Sequence, residues 1–519
     1  MKYVTVEEMI RIEKAADAAG HSYQEMMEQA GTGLAAAVQE TYGDLPEKRI
    51  TALVGSGNNG GDALVALAKL EDWGWETSGL LLRSRGEEDP LIHRLQQAGG
   101  RLLDCQQLED CREVLEEEVS QADVVLDGVL GTGIRLPIRG PLAEVLGYLK
   151  GYLQDLDPPP QVVAVDCPSG IDADSGDVDP VCIPADLTVT MAAVKQGLIK
   201  FPAFDFLGEL LVVEIGLPGD LPELQEIQRQ VMGRSEVKAL LPDRPRDAHK
   251  GTFGTVLIAA GSENYPGAAL LSACGAYGIG AGLVTVGVPE RIYPALIGGL
   301  PEATWVVLDA EDGGISEQAV ERLREFLPRA DSLLIGPGLG TSAATRAFVK
   351  KTLSLPDLPP VVIDADGLRL ISAGERWWQQ LPEITVLTPH PGEMAALTGQ
   401  PVNAIQQDRV AIAEEYADLW DRTLVLKGAH TVIASPGQPT RVIPAATAAL
   451  SRAGTGDVLA GMIAGLLAQG VAAPEASSVG AWIHAQAGMM AADVLGSTAA
   501  VLSGDVADAV VDVLAWLMD

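Results

Sequence analysis

Short apolar runs alternate with stretches of helical periodicity along most of the chain. Up to residue 42, apolar residues recur at helical spacing with Gly20 as a break, which predicts two helices. Runs at 49–54, 78–82, 124–127, 162–165, 187–190 and 210–213 are continuous and rich in Val and Leu, as strands buried on both faces are. Helical patterns at 60–73, 90–98 and 140–153 lie between them. Leu217-Pro218-Gly219-Asp220-Leu221-Pro222 closes this series. The polar stretch 223–229 and Pro242-Asp243-Arg244-Pro245-Arg246 mark a crossing near residue 225. The alternation then resumes, with strands predicted at 255–259, 283–286, 304–308, 332–335, 361–363 and 385–387 and a pair at 423–426 and 431–433. Helices at 456–467, 474–495 and 505–516 close the chain. The pattern predicts an α/β protein of two doubly wound domains, 1–222 and 228–519, unlike in their loops and so not repeats of one another.

Composition narrows the picture. The 519 residues suffice for two to four domains, and 47% hydrophobic with 21% charged content is globular. With 36 Lys and Arg against 71 Asp and Glu, the formal charge of −35 argues against nucleic acid or an anionic membrane as a partner. Anionic ligands must then be held by local glycine loops and a few cations. The cysteines, at 105, 111, 167, 182 and 274, are odd in number and form no Cys-x-x-Cys. This predicts a reducing, cytoplasmic setting and no structural zinc. The charged N-terminus is no signal peptide. The uncharged run 265–289 is long enough to span a bilayer, but it contains Gly267, Gly275, Gly278, Gly280, Gly282 and Gly287 and splits into a helix-like and a strand-like half.

In such sheets ligands bind beyond strand carboxyl ends. Four loops of the first half fit that position. Gly55-Ser56-Gly57-Asn58-Asn59-Gly60-Gly61-Asp62 matches G-x-G-x-x-G between a strand and a helix, but its two Asn and terminal Asp are unusual for plain pyrophosphate binding. The others are Asp127-Gly128-Val129-Leu130-Gly131-Thr132-Gly133, Asp166-Cys167-Pro168-Ser169-Gly170-Ile171-Asp172 and Ala193-Val194-Lys195-Gln196-Gly197. One such loop reads as a turn. Four on one edge, carrying Asp62, Asp127, Asp166 and Lys195, read as a site.

These loops resemble the epimerase half of the bifunctional NAD(P)H-hydrate repair enzymes, over about residues 1–220. The resemblance implies a Rossmann-like domain in which Asn58, Asn59, Gly60, Gly61 and Asp62 contact the hydrated nucleotide. It implies substrate contacts for Gly131, Thr132, Gly133, Ile134, Arg135, Leu136, Pro137 and Asp166. It also implies K+ held by Asn59, Asp127 and Ser169. Ala63 departs from the family, where glycine is usual. Epimerisation at one ring carbon needs a proton donor and an acceptor, and Asp166 and Lys195 follow neighbouring strands and can tune each other.

The second half has its own loops: Gly336-Pro337-Gly338-Leu339-Gly340, Asp364-Ala365-Asp366-Gly367, Thr388-Pro389-His390-Pro391-Gly392-Glu393, Lys427-Gly428-Ala429-His430-Thr431 and Gly454-Thr455-Gly456-Asp457. The last opens an apolar helix. Free amides at a helix start hold phosphate, and Asp457 beside them reads either as a general base or as a helix cap. Asp364 and Asp366 read equally as cap or turn residues. Lys427 is the cation placed near phosphate. No G-x-x-x-x-G-K-[ST] occurs, which excludes a P-loop enzyme.

The set resembles the ribokinase-like fold and, within it, the dehydratase half of the same repair enzymes, over about 230–515. That implies an adenine-nucleotide site of Lys427, Gly428, Ala429, His430, Thr431 and Gly456. It implies contacts to the hydrated dinucleotide from Ala268, Gly338, His390 and Asp457. ADP or ATP is the expected co-substrate with Mg2+, and NADHX and NADPHX are the expected substrates, with Asp457 as the catalytic base. A homo-oligomer is expected. Two rivals compete on the residues: a kinase of a small alcohol for the second half, and a non-catalytic module for the first. A dehydrogenase fits poorly, since only the glycine fingerprint supports it.

Overall fold

The computed structural model describes residues 1–86, 88–372, 374 and 376–518. It forms two compact units, Met1–Arg229 and Gln230–Asp519. In the first, seven strands make one sheet: β1 (Arg49–Val54), β2 (Glu76–Leu81), β3 (Arg101–Asp104), β4 (Val124–Gly128), β5 (Gln161–Val165), β6 (Leu187–Met191) and β7 (Glu209–Val213). Their spatial order is β3-β2-β1-β4-β5-β6-β7, and every neighbouring pair is parallel. This is a Rossmann-like order whose direction reverses between β1 and β4, so a crevice opens beyond their carboxyl ends. From Ala52 to Val54 the β1 run is continuously apolar because both its faces are covered. Ile50, Ala52 and Val54 join one core cluster and Leu53 the other.

Helices α1 (Val6–Ala18), α2 (Tyr23–Tyr42) and α3 (Asn58–Asp72) cover the first of these faces. Ahead of α1, Tyr3–Val4 pairs in parallel with Val194–Lys195, matching Tyr3 to Val194 and Val4 to Lys195. A two-residue ladder gives no periodic signal, and the sequence reads 193–197 as a loop.

Between residues 98 and 124 the apolar pattern marks no element, yet β3 and a helix at Leu108–Gln121 form there. That helix buries only a thin stripe of Cys111, Leu115, Glu118 and Val119, and five further acidic residues, Glu109, Asp110, Glu113, Glu116 and Glu117, lie outside the stripe. Cys111 and Cys105 are joined in a disulfide, with Cα atoms 5.1 Å apart. This corrects the expectation of reduced thiols throughout. The pairing joins the end of β3 to the start of a helix, and the spacing of the two cysteines carries no motif. Cys167 and Cys182 are buried free thiols.

The second sheet has ten strands: β8 (Arg229–Val231), β9 (Thr255–Ala259), β10 (Leu283–Pro289), β11 (Thr304–Leu308), β12 (Ser332–Ile335), β13 (Val361–Ile363), β14 (Thr385–Leu387), β15 (Thr423–Leu426), β16 (Val432–Ala434) and β17 (Thr440–Val442). They lie in the order β8-β17-β16-β15-β14-β13-β12-β9-β10-β11. From β11 through β15 the pairs are parallel, and β15, β16 and β17 are antiparallel. The sheet is therefore mixed at one end. Two core clusters again cover its two faces. The uncharged run 265–289 becomes α4 (Gly267–Gly278), a turn through Gly280 at φ +102°, and β10. Among the described residues no helix is long and apolar enough to cross a membrane.

Candidate active sites

In the first unit the β1 and β4 loops meet at the switch point. The backbone there comes too close for side chains: a β-carbon on Gly55 would lie 1.9 Å from Val129 O. Gly57 caps α3, whose first turn buries Asn59 and Asp62. Asn59 spans the crevice, and its Nδ2 donates to Leu130 O at 3.2 Å and Val165 O at 2.5 Å. Ala63 carries the methyl the family usually lacks. That methyl is buried against Gly128, where a β-carbon would stand 2.7 Å away, so the extra group fits because Gly128 has none.

Asp127 lies 1% exposed at the end of β4. Ser169 donates to it from the backbone at 2.7 Å and from Oγ at 2.5 Å, and Leu130 N donates to Ser169 Oγ at 2.9 Å. Burial raises the Asp127 carboxyl despite these bonds. Asn59, Asp127 and Ser169 thus converge around the Leu130 backbone. The strip from Gly131 to Pro137 is half-buried to exposed, with Gly133, Arg135 and Pro137 at the surface.

Asp166 and Lys195 form a buried ion pair beyond β5 and β6. Asp166 adopts φ +64°, and its Oδ1 also accepts from Thr190 Oγ1 at 3.0 Å and Met191 N at 3.1 Å. Lys195 Nζ donates to Met191 O at 2.9 Å and Thr190 Oγ1 at 3.1 Å. Burial holds the Asp62 carboxyl well above the usual carboxylate range, and Asp166 and Glu13 push it the same way against Lys195 and Arg85. Glu13, on α1, is raised by burial, against Lys195 and together with Asp166.

Two members of this site carry no loop motif. Arg85 is almost buried and clamps the glycine loop, donating to Gly55 O at 2.9 Å and Gly57 O at 2.7 Å while pairing with Asp89. Glu13 sits among the helical residues Met9, Ile12 and Ala16 that face the core. An acid bordering a buried stripe is the signal that could have found it.

In the second unit, the loops after β9, β12, β13, β14 and β15 share the carboxyl edge of the parallel strands. Helix α5 (Pro391–Thr398) follows β14, and α6 (Thr455–Ala468) begins at the glycine loop. Gly454, at φ +95°, is the cap of α6, so Asp457 lies in the first turn and is not a capping residue. Thr455 Oγ1 ties the loop to Leu450 O at 2.9 Å, and His484 Nε2 donates to Thr455 O at 2.8 Å. Burial takes His484 down to about 4, which keeps it neutral.

Lys427 reaches across from β15. Its Nζ is 2.5 Å from Asp364 Oδ1, which also accepts from Thr388 Oγ1 at 2.7 Å. Burial pulls Lys427 down, but Asp364, Glu393 and Asp457 raise it above the usual lysine value. Burial first, and then Asp364, lift Asp457 to about 7, with Lys427 opposing. A carboxyl so placed can accept a proton near neutral pH.

His390 caps α5. Its Nδ1 accepts from Gly392 N at 3.0 Å and Glu393 N at 3.3 Å, so the proton is on Nε2, 3.4 Å from Glu393 Oε1. Gly338 (φ +61°) packs on Ala268, where a β-carbon would come within 2.7 Å. The 427–431 turn is closed by Thr431 Oγ1, which donates to Gly428 O at 2.9 Å. Gly428 adopts φ +147° and His430 φ +52°. The His430 ring is buried and taken down to about 4 by burial and by Arg409. Arg409 carries no motif either; it donates to Leu426 O at 2.8 Å from behind this turn.

Two family models match the chain: one described as YjeF-related protein N-terminus over residues 23–197, and NAD(P)H-hydrate dehydratase over 256–510. A bifunctional NAD(P)H-hydrate repair enzyme from Moorella thermoacetica is 37% identical over 489 residues, covering 93% of this chain and 91% of that protein. The chain belongs to the bifunctional NAD(P)H-hydrate repair enzymes.

Another repair enzyme of this name, from Thermofilum pendens, is 34% identical and covers 96% of this chain and 93% of its own. Among solved structures, the ADP/ATP-dependent NAD(P)H-hydrate dehydratase of Bacillus subtilis, co-crystallised with ATP and Mg2+, is 32% identical with a TM-score of 0.49. It covers 56% of this chain and 99% of that one. A ribokinase-like protein from Enterococcus faecalis is 26% identical over 56% of this chain and 96% of its own, with a TM-score of 0.48. The two halves of the repair enzyme are an α/β unit of Rossmann-like order and an α/β unit whose ten-stranded sheet is mixed at one end.

Proposed function

We propose that this repair enzyme returns hydrated NADH and NADPH to the intact dihydronicotinamide coenzymes. Residues 1–222 epimerise the R and S hydrates, and 228–519 dehydrate the S form at the expense of ADP or ATP. One observation carries the reading most directly: the Asp457 carboxyl, with its pKa near 7, beside Lys427 at an amide-rich helix start.

The hydrate carries a hydroxyl beside the ring nitrogen, and hydroxide is a poor leaving group. Asp457 takes the hydroxyl proton as the terminal phosphoryl of the nucleotide passes to that oxygen. The lone pair of the ring nitrogen then expels the phosphate, and loss of a ring proton restores the double bond. Lys427 and the amides of Gly454, Thr455 and Gly456 stabilise the phosphoryl charge. Lys427, Gly428, Ala429, His430, Thr431 and Gly456 hold the adenine nucleotide. Ala268, Gly338, His390 and Asp457 hold the hydrate. Asp364 and Glu393 offer oxygen ligands of the kind Mg2+ takes, since that ion is bound by one or two carboxylates plus phosphate oxygens. When bound, Mg2+ neutralises phosphate charge.

In the first unit Asp166 and Lys195 exchange the proton at the epimerised centre. Asn58, Asn59, Gly60, Gly61 and Asp62, with Gly131, Thr132, Gly133, Ile134, Arg135, Leu136 and Pro137, bind the nucleotide. The side chains of Asn59, Asp127 and Ser169 fit K+: their oxygens are hard and the set holds a single carboxylate, suited to a monovalent cation. Its charge would compensate the buried Asp127. We further propose a cytoplasmic location and a homo-oligomer.

The test is recovery of dihydronicotinamide absorbance from mixed NADHX epimers with Mg2+, K+ and either ADP or ATP. Full recovery is expected. Recovery of the S share alone removes the epimerase. No recovery, with a stable phosphorylated alcohol formed from another substrate, replaces the dehydratase by a kinase.

A further inference from the structure

The loops after β9 and β12 lie against each other. Gly261 N donates to Pro337 O at 2.8 Å, and Gly338 packs on Ala268 and Tyr265. Ser262 stands between these contacts. It is 5% exposed, and its Oγ is buried without a hydrogen-bond partner. The hydroxyl faces Gly340 across a gap, 3.9 Å from where a β-carbon on that glycine would stand. The Gly340 amide is already taken, donating to Asp366 Oδ2 at 2.9 Å. The protein thus leaves a buried hydroxyl unanswered beside the residues assigned to the hydrate. A buried polar group without a partner is costly, and folded proteins keep few of them.

We propose that Ser262 Oγ hydrogen-bonds a polar group of the hydrated nicotinamide ring and is a specificity-determining residue of the dehydratase site. The inference rests on the dehydratase reading above. A hydroxyl both donates and accepts, so it can serve the ring hydroxyl or the carboxamide. Neither the adenine nucleotide nor its phosphates call on it, because Lys427 and the 427–431 turn follow β15 and lie elsewhere on the strand edge.

The experiment is steady-state dehydration of S-NADHX by the full-length protein, by Ser262→Ala and by Ser262→Cys, together with thermal melting of each. Both variants should raise KM for the hydrate about five- to tenfold, the worth of one hydrogen bond. Changes in kcat should stay within a few-fold, KM for ADP or ATP should not move, and Tm should not fall, because an orphaned hydroxyl adds no stability to the free protein. A hydrate KM within twofold of the parent overturns the inference. So does a lowered Tm with equal losses for both substrates, which would make the hydroxyl structural. Failure of the parent protein to dehydrate the hydrate at all would sink the dehydratase reading instead.

Discussion

The Lys427 ammonium stands 3.3 Å from the point a β-carbon on Gly456 would occupy. The cation and the glycine therefore border the same space at the start of α6, and a side chain at position 456 would intrude on it. Gly456→Ala should fold, because the crowded atom is the tip of a flexible lysine. It should raise KM for ADP or ATP at least about tenfold, a loss of roughly 1.4 kcal/mol. Nucleotide titration against a folded variant checks this; unchanged affinity would remove the phosphate from this space.

Asp457→Asn should abolish dehydration and leave epimerisation intact, as followed by separating the two epimers. The same substitution should stabilise the protein, and the pH dependence has a definite sign. An acid whose folded pKa is raised to about 7, against about 4 unfolded, loses stability as pH rises through that window. Asparagine has no such cost. The Tm gain should therefore be larger at pH 8 than at pH 5. Equal gains at both would show that the carboxyl is not held protonated.

For the same reason, dehydration should fall on the acid side. With Asp457 as base, kcat/KM should drop about tenfold per pH unit below about 7. A profile flat from pH 5 to 8 would assign the proton to another group.

In the first unit, Asp166→Asn keeps the shape of the carboxyl but breaks its pairing with Lys195. Epimerisation should fall at least about a hundredfold while dehydration of the S epimer persists. Because the pair is buried, removing one charge leaves the other unpaired, at roughly 3–5 kcal/mol, so the melt of this unit should shift down as well. Epimer exchange at the parent rate in the folded variant would exclude the pair from catalysis.

Potassium offers a separate handle. Replacing K+ with a bulky organic cation should slow epimerisation and lower the melting point of the parent, and Asp127→Asn should lose both responses. Activity indifferent to the cation would mean that Ser169 and the Val129 amide alone organise the Asp127 oxygens.

Much of this architecture can be read from the chain. Strands such as 49–54 and 332–335 are legible because burial on both faces makes them mostly apolar, and their loops are legible because close backbone approach demands glycine. What stays hidden lacks both signals. The helix Leu108–Gln121 has too thin a stripe to stand out from its charge. Arg85, Glu13 and Arg409 act through tertiary contacts with no local pattern. Asp457 reads as cap or base until the structure puts Gly454 in the capping position. The Cys105–Cys111 bond depends on where β3 ends, which the sequence does not mark.

The pairing of Val4 with Lys195 joins residues about 190 apart in sequence. During synthesis the first strand leaves the ribosome long before its partner exists, so the epimerase lysine can be seated only after nearly the whole unit has been made. Such distant pairing is slow to form. A protease that trims the first few residues would strip the epimerase of this support while sparing the second unit, and damage there would show as loss of one activity from a protein still able to perform the other.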